Sequence, residues 1–230
     1  MTDSRPNIVY VTAHPDDSSN AMGATALLLK DRYDVHVLCA TRGERGIRGK
    51  TYAEAGAIRE KEEAAACALM GAQLTFLDRV NGELYADKAI CDMVAGILTD
   101  LRPAAVFTLW PINEHEDHTA VYEITMKALL LSDLRGTTEV YMGENDIGGQ
   151  TNQFVPDIYV DISGVIEQKR AMVACHRSQY PSEERREYII RRNAIRGMMA
   201  RCPFAEAFKT LYPVTTGRWG RPSGALLLDL

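Results

Sequence analysis

Apolar residues arrive in short, nearly unbroken runs, separated by longer stretches in which polar positions recur with helical spacing. The run 7–13 (NIVYVTA) ends on His14, and 34–41 (DVHVLCAT), 73–77 (QLTFL) and 104–110 (AAVFTLW) have the same character. Runs of that length without alternation predict strands covered on both faces. Between them, 20–31, 53–70, 87–101 and the stretch from Asp117 to about Leu131 predict helices. The clearest is 53–70, rich in Ala, Glu and Lys, with Gly71 where a left-handed C-terminal cap belongs. Further strands are expected at 139–142 and 157–162, and helices at 163–175 and 183–200. Strands separated by helices predict a single α/β domain over 1–230, with a Rossmann-like, doubly wound, mostly parallel sheet flanked by helices. The polar, Gly-rich stretch 143–153 is expected to be a surface loop near the functional site.

Composition narrows the function classes. A chain of 230 residues can bury a full core, and its 46% hydrophobic and 25% charged content is that of an ordinary globular protein. A net charge of −5 argues against a nucleic-acid partner, which favours a basic surplus. No stretch approaches the ~20 apolar residues of a membrane span. The beginning, Met-Thr-Asp-Ser-Arg-Pro, lacks the apolar segment and cleavage site of a signal peptide. Cys39, Cys67, Cys91, Cys175 and Cys202 are scattered and odd in number, with no CxxC pair. They are expected to be reduced thiols of a cytoplasmic protein, not zinc ligands.

The chemistry is concentrated at two strand ends. Ala13-His14-Pro15-Asp16-Asp17 follows the first strand directly, and His115-Glu116-Asp117-His118 follows the fourth. Open α/β sheets bind ligands at the carboxyl ends of their strands, and first and fourth strands can flank the switch point of a doubly wound sheet. His14, Asp17 and His118 would offer two nitrogens and one oxygen to zinc, leaving a position for water. Pro15 stiffens the loop, and the neighbouring carboxylates of Asp16 and Asp17 diverge, so one can bind metal while the other serves as base. A metal on Asp17 relieves their mutual repulsion and lowers the pKa of its water towards ~7. His115 lies three residues before His118, on the same face if a helix begins there, and would point at a substrate carbonyl. Whether His115 is then charged stays open. Fe2+ or another divalent ion would suit the same donors. Alone, a His-x-x-His pair is ordinary helix surface and an Asp-Asp pair a turn or cap; their joint placement at two strand ends points to a site.

These motifs resemble those of the PIG-L/LmbE family of zinc-dependent N-deacetylases, and the resemblance runs along nearly the whole chain. Besides the two His motifs it includes Thr41-Arg42-Gly43-Glu44, Arg59, Glu62, Leu69-Met70-Gly71, Val160-Asp161-Ile162-Ser163, Lys169, His176-Arg177-Ser178-Gln179, Gly197 and Ala205-Glu206-Ala207-Phe208. The resemblance implies His14, Asp17 and His118 as metal ligands and Asp16 as general base. It further implies that His115 stabilises the tetrahedral intermediate, oriented by Asp117, and that Arg59 helps bind the substrate. The implied substrate is a small N-acetylglucosamine-type conjugate. A homo-oligomer is compatible with all of this. Two positions depart from the family pattern: Ser18 stands where Glu usually follows the Asp pair, and Glu116 replaces the Pro between the histidines. An amidase or a hydratase on the same scaffold, or a non-catalytic metal-binding relative, are the alternatives.

Other residues have two readings. Arg42, Arg45, Arg48 and Lys50 form a basic loop that is either solvated or binds an anionic substrate, with Arg42 taken as the candidate. Arg59 could equally form a surface ion pair on its Glu-rich helix. Trp110 and Tyr180 could stack on a sugar or belong to the core. His36 is expected to be structural, and His176 to pack beneath the site.

Overall fold

The computed structural model describes residues 5–147, 149–212 and 226–230; the polar stretch 1–4, where a signal peptide was sought, lies outside them. Strands are β1 (Asn7–Thr12), β2 (Asp34–Thr41), β3 (Ala72–Arg79), β4 (Ala105–Leu109), β5 (Glu139–Gly143), β6 (Ile158–Asp161) and β7 (Ala205–Thr210). Helices are α1 (Asp17–Ala21), α2 (Gly23–Leu29), α3 (Tyr52–Met70), α4 (Lys88–Leu101), α5 (Glu116–Leu131), α6 (Ile166–Cys175) and α7 (Glu183–Ala200). The strands form one sheet in the order β3-β2-β1-β4-β5-β7-β6. The five from β3 to β5 are parallel, and β7 runs antiparallel to both β5 and β6. This is the expected doubly wound α/β fold.

β1 and β4 are adjacent, with Ile8 opposite Ala105 and Tyr10 opposite Phe107. The chain leaves β1 towards β2 on one side and β4 towards β5 on the other, so a crevice opens between their carboxyl ends. Both strands are buried almost throughout because helices cover both faces. Tyr10, Phe107, Tyr141 and Phe208 carry an aromatic column across the middle of the sheet, with Tyr10 and Phe107 stacked at 4.5 Å. This core fixes the strand ends on which the site is built.

Helix ends follow local chemistry. Thr51 and Glu54 close a reciprocal capping box at the start of α3, and Gly71 ends it at φ 68°. Asp87 caps α4 through the Ile90 amide, and Ser182 caps α7 through the Arg185 amide.

Three expectations need correction. The helix predicted over 20–31 is two short helices, broken at Met22, and the first begins already at Asp17. Close packing accompanies the break: a Cβ on Gly23 would lie 3.1 Å from Met172 and 3.3 Å from the Ser18 carbonyl. The helix predicted from 163 begins at Ile166, after a 3-10 turn over Ser163–Val165. β7 was not foreseen, because two of its six residues, Glu206 and Lys209, are charged. Glu206 is nevertheless buried, its carboxylate accepting the Ala24 and Thr25 amides and pairing with Lys169 at 2.6 Å.

Among the described residues, all five cysteines are free thiols, and no helix is long and apolar enough to cross a membrane.

Candidate metal centre and its cavity

At the end of β1 the chain turns sharply through Ala13-His14-Pro15. Asp17, in the first turn of α1, folds back so that its Oδ2 accepts the amides of Ala13 (3.0 Å) and His14 (2.8 Å). Its Oδ1 accepts the side-chain amide of Asn145 at 2.6 Å and lies 3.4 Å from His118 Nε2. Burial alone would raise the Asp17 carboxyl. The His118 and His14 rings and the backbone amide outweigh it and hold the group well below the usual carboxylate range.

His115 is the N-cap of α5, which brings His118 into the first turn, facing β1. His14 Nδ1 and His118 Nε2 stand 3.2 Å apart. The outer nitrogen of each ring meets an acceptor: His14 Nε2 faces Asp117 Oδ2 at 2.9 Å, and His118 Nδ1 faces Asn113 Oδ1 at 3.1 Å. Those acceptors place the ring protons on the outer nitrogens, so the inner nitrogens direct lone pairs at one another beside the Asp17 carboxylate. Such an electron-rich point requires a proton or a cation. The demand shows in His118: burial works to lower its pKa, yet Asp17 raises it above the ordinary value. The positive end of α5, which would disfavour a charged imidazole, is outweighed by the carboxylate.

His14, Asp17 and His118 thus offer ligand atoms within 4.8 Å of one another, all three residues buried. Two imidazoles and one carboxylate are a fitting donor set for zinc or a similar divalent ion. A second triple, His14, His115 and Asp117, also has its ligand atoms within 4.8 Å of one another. It is the weaker candidate because the Asp117 carboxylate is already filled by His14 and by the Gly82 (2.7 Å) and Leu84 (3.1 Å) amides. Asp117 therefore fixes His14, not His115 as expected; the carboxylate–histidine pair is the usual support behind a metal-binding imidazole. Burial would raise the Asp117 carboxyl, but the bonds to His14 and the two amides keep it low and ionised.

Asp16 sits at φ 107°, a left-handed conformation costly for any residue with a side chain. The turn aims its carboxylate away from Asp17, where Oδ2 accepts the Tyr180 hydroxyl at 2.8 Å and Oδ1 accepts Arg59 at 3.2 Å. Burial raises its pKa most, Arg59 opposes, and Asp17 adds to the rise. The group is therefore a stronger base than an ordinary carboxylate. His115 accepts the Asp117 amide at Nδ1, which leaves the Nε2 proton free to donate into the cavity. Burial and the neighbouring histidines lower its pKa, so the ring is neutral near pH 7.

His14, Asp16, Asp17, His115 and His118 open onto one cavity of about 400 Å³. Its remaining walls include Asn20, Asn81, Gln150, Gln179 and Tyr180, amides and a hydroxyl, together with Arg45, which pairs with Glu83. Arg59 borders it but is only 4% exposed; its guanidinium is committed to the carbonyls of Pro15 and Gly43 and to Asp16. Gly43 makes room for it, since a Cβ there would fall 2.3 Å from Arg59 Nη1. Arg42 is not brought to the cavity: it stacks on Phe76 and pairs with Glu60 and Asp78. Arg45, from the same basic loop, lines the cavity instead. Trp110 lies outside it, bonded to the Asn152 carbonyl and edge-on to Phe154, whereas Tyr180 is in it. His176 packs beneath, 2.6 Å from Ser19 Oγ, its pKa pushed down to about 3 by burial, with Arg59 adding to the effect. His36 bonds Asn7 within the sheet.

The family model described as GlcNAc-PI de-N-acetylase (PIG-L) matches residues 9–129, which include both His motifs. The chain belongs to the PIG-L family. It is 25% identical over 246 residues to 4-oxalmesaconate hydratase of Pseudomonas putida, covering 94% of this chain and 93% of that one. It is 26% identical to 1D-myo-inositol 2-acetamido-2-deoxy-alpha-D-glucopyranoside deacetylase of a Mycobacterium species, covering 78% and 76%. The crystal structure of a conserved protein from Thermus thermophilus superposes with a TM-score of 0.79 at 28% identity, covering 94% of this chain and 99% of that one. The PIG-L membership supports an enzyme, and the relatives include both a hydrolase of acetamido sugars and a hydratase.

Asn20, Asn113 and Asn145 were missed from the sequence. None lies in a His or Asp motif; each is recognisable only when the fold brings its amide to Tyr180, His118 or Asp17.

Proposed function

We propose that this chain is a metal-dependent N-deacetylase acting on a small N-acetylated amino-sugar conjugate. The observation that carries this reading is the convergence of His14, Asp17 and His118 beside a base-like Asp16 at the floor of a polar cavity. His14, Asp17 and His118 would hold the ion, zinc by their donor types, and bound there it supplies acidified water and polarisation of the substrate carbonyl. Asp16 removes a proton from the attacking water on a carboxylate oxygen and later delivers it to the leaving nitrogen. Tyr180 and Arg59 hold that carboxylate in place. His115 donates its Nε2 proton to the oxygen on which charge develops. The amide-rich walls suit the hydroxyls of a sugar, and Arg45, paired with Glu83 at the cavity wall, lies beside them.

The test is release of free amine from a panel of N-acetylglucosamine conjugates. Release that stops on chelation and returns with zinc supports the reading, and Asp16→Asn is expected to retain zinc and lose most turnover. A second reading rests on the hydratase relative, which aligns over more of the chain than the sugar deacetylase does. The same base and cavity would then add water to a carbon–carbon double bond. Stoichiometric zinc with no amine from any conjugate, and hydration of an unsaturated tricarboxylic acid such as 4-oxalmesaconate, would decide for it.

A further inference from the structure

Glu63 is a carboxylate in the wrong surroundings for a helix surface. It lies mid-way along α3, is fully buried, and takes no part in the chemistry described so far. Its Oε2 accepts the amide of Asp16 at 2.8 Å, and its Oε1 accepts the hydroxyl of Ser18 at 2.8 Å. Burial pushes its pKa up to about 7, although both bonds favour the ionised form. A buried acid held at that cost needs a compensating role.

Asp16 is the N-cap of α1, yet its side chain does not cap that helix, because it is turned towards Tyr180 and Arg59. The backbone at Asp16 is left-handed, with φ 107°. Strain of this kind persists only when neighbouring contacts hold the residue from several sides. Arg59 holds the Pro15 carbonyl and the Asp16 carboxylate, and Glu63 holds the Asp16 amide between them. The two come from one helix, four residues apart and so on one face.

We propose that Glu63 is a positioning residue: its carboxylate clamps the Asp16 amide and the Ser18 hydroxyl and so keeps the base turned into the cavity. In a helical N-terminal box, an acid in the first turn reaches back to the N-cap amide. Here the third helical position is Ser19, which carries only a hydroxyl, and the acid arrives from α3. The role in catalysis rests on the proposed hydrolytic reading; the clamp itself does not.

Glu63→Ala, Glu63→Gln and the exchange Ser18→Glu/Glu63→Ala test it, each by crystal structure and by steady-state kinetics on the zinc-loaded enzyme. Glu63→Ala is expected to release Asp16 from the left-handed conformation and lower kcat by about 30- to 100-fold, with KM changing less, as for a displaced catalytic group. Glu63→Gln, whose carbonyl still accepts the Asp16 amide, should keep the turn and most of kcat. The exchange, which returns a carboxylate to the same space from position 18, should recover kcat at least ~10-fold over Glu63→Ala. An Asp16 that stays put in Glu63→Ala, or an exchange variant with no recovery despite a folded structure, would overturn the inference. Should the parent release no amine from any conjugate, the hydrolytic reading fails, while the Asp16 conformation in the variants still decides the clamp.

Discussion

Replacing Asp117 by Asn tests the proposed metal centre through a residue that is not in it. The Asp117 carboxylate receives three donors: His14 Nε2 and the Gly82 amide on Oδ2, and the Leu84 amide on Oδ1. An amide side chain has one acceptor oxygen. If that oxygen takes the Oδ2 place, the new NH2 group confronts the Leu84 N–H, leaving a buried donor unpaired at a cost of about 1–3 kcal/mol. If it takes the Oδ1 place, both the Gly82 amide and His14 lose their acceptor. His14 then has nothing to hold its proton on Nε2, and the tautomer with its lone pair at Nδ1 is no longer favoured. Loss of such outer support typically weakens metal binding by ~10–100-fold, or about 1.4–2.7 kcal/mol. The assay is zinc competition against a chromophoric chelator at pH 7.5, with urea unfolding of the metal-free protein alongside. The expected result is weaker zinc binding together with a stability loss in that range. Zinc affinity equal to the parent's in a folded Asp117→Asn variant would refute the role assigned to Asp117 and the choice of His14 Nδ1 as the ligand atom.

Two further outcomes follow from buried charges. Lys169 and Glu206 pair at 2.6 Å with both side chains fully buried, so Lys169→Met should destabilise by about 3–5 kcal/mol and lower Tm by roughly 6–20 °C. Scanning calorimetry checks it, and a loss under ~1 kcal/mol would mean that the pair is not isolated from water. The folded Glu63 carboxyl, raised from 4.5 to about 7, retains a proton that the unfolded chain has released. Stability should therefore fall as pH rises from ~4.5 to 7 and level off above, with about 3 kcal/mol at stake. Glu63→Gln should flatten that interval in urea titrations; an unchanged slope would assign the dependence to other groups.

The sheet was legible because its central strands are covered on both faces and read as continuous apolar runs, and because the helices between them are capped by Thr51, Gly71 and Asp87. β7 was not, because Glu206 becomes a core residue only through Lys169 and the amides that begin α2, partners 37 and more residues away. The donor cluster was legible because two of its three members lie in one five-residue turn and the third beside His115. The directions of side chains were not. Asp117 was expected to serve its neighbour His115 but reaches across to His14. Arg42 was expected at the substrate, but Glu60 and Asp78 draw it away and leave Arg45 in its place. Sequence spacing says which residues share a loop; it does not say which of two neighbours finds the nearer partner.

The division between legible and illegible parts follows the division of labour in the site. The proposed donors and base lie in the turns and first helical residues that follow β1 and β4, the two strands that form the switch point. The walls that meet the rest of a substrate come from elsewhere: Arg45 and Gly46 after β2, Asn81 after β3, Gln150 after β5, and Gln179 and Tyr180 between α6 and α7. On the proposed reading, water activation needs only the first set, and an acetamide and an activated double bond make the same demand on it. Choice between them must then lie in the second set, by what it places next to Asp16 and His115. A wall of amides, with Arg45 already paired to Glu83, favours a neutral, hydroxyl-rich body. A tricarboxylate such as the hydratase relative's substrate would find only arginines already paired among the lining residues, Arg45 with Glu83 and Arg59 with Asp16. On this ground the sugar-conjugate reading is preferred to the hydratase reading, although the hydratase relative aligns over more of the chain.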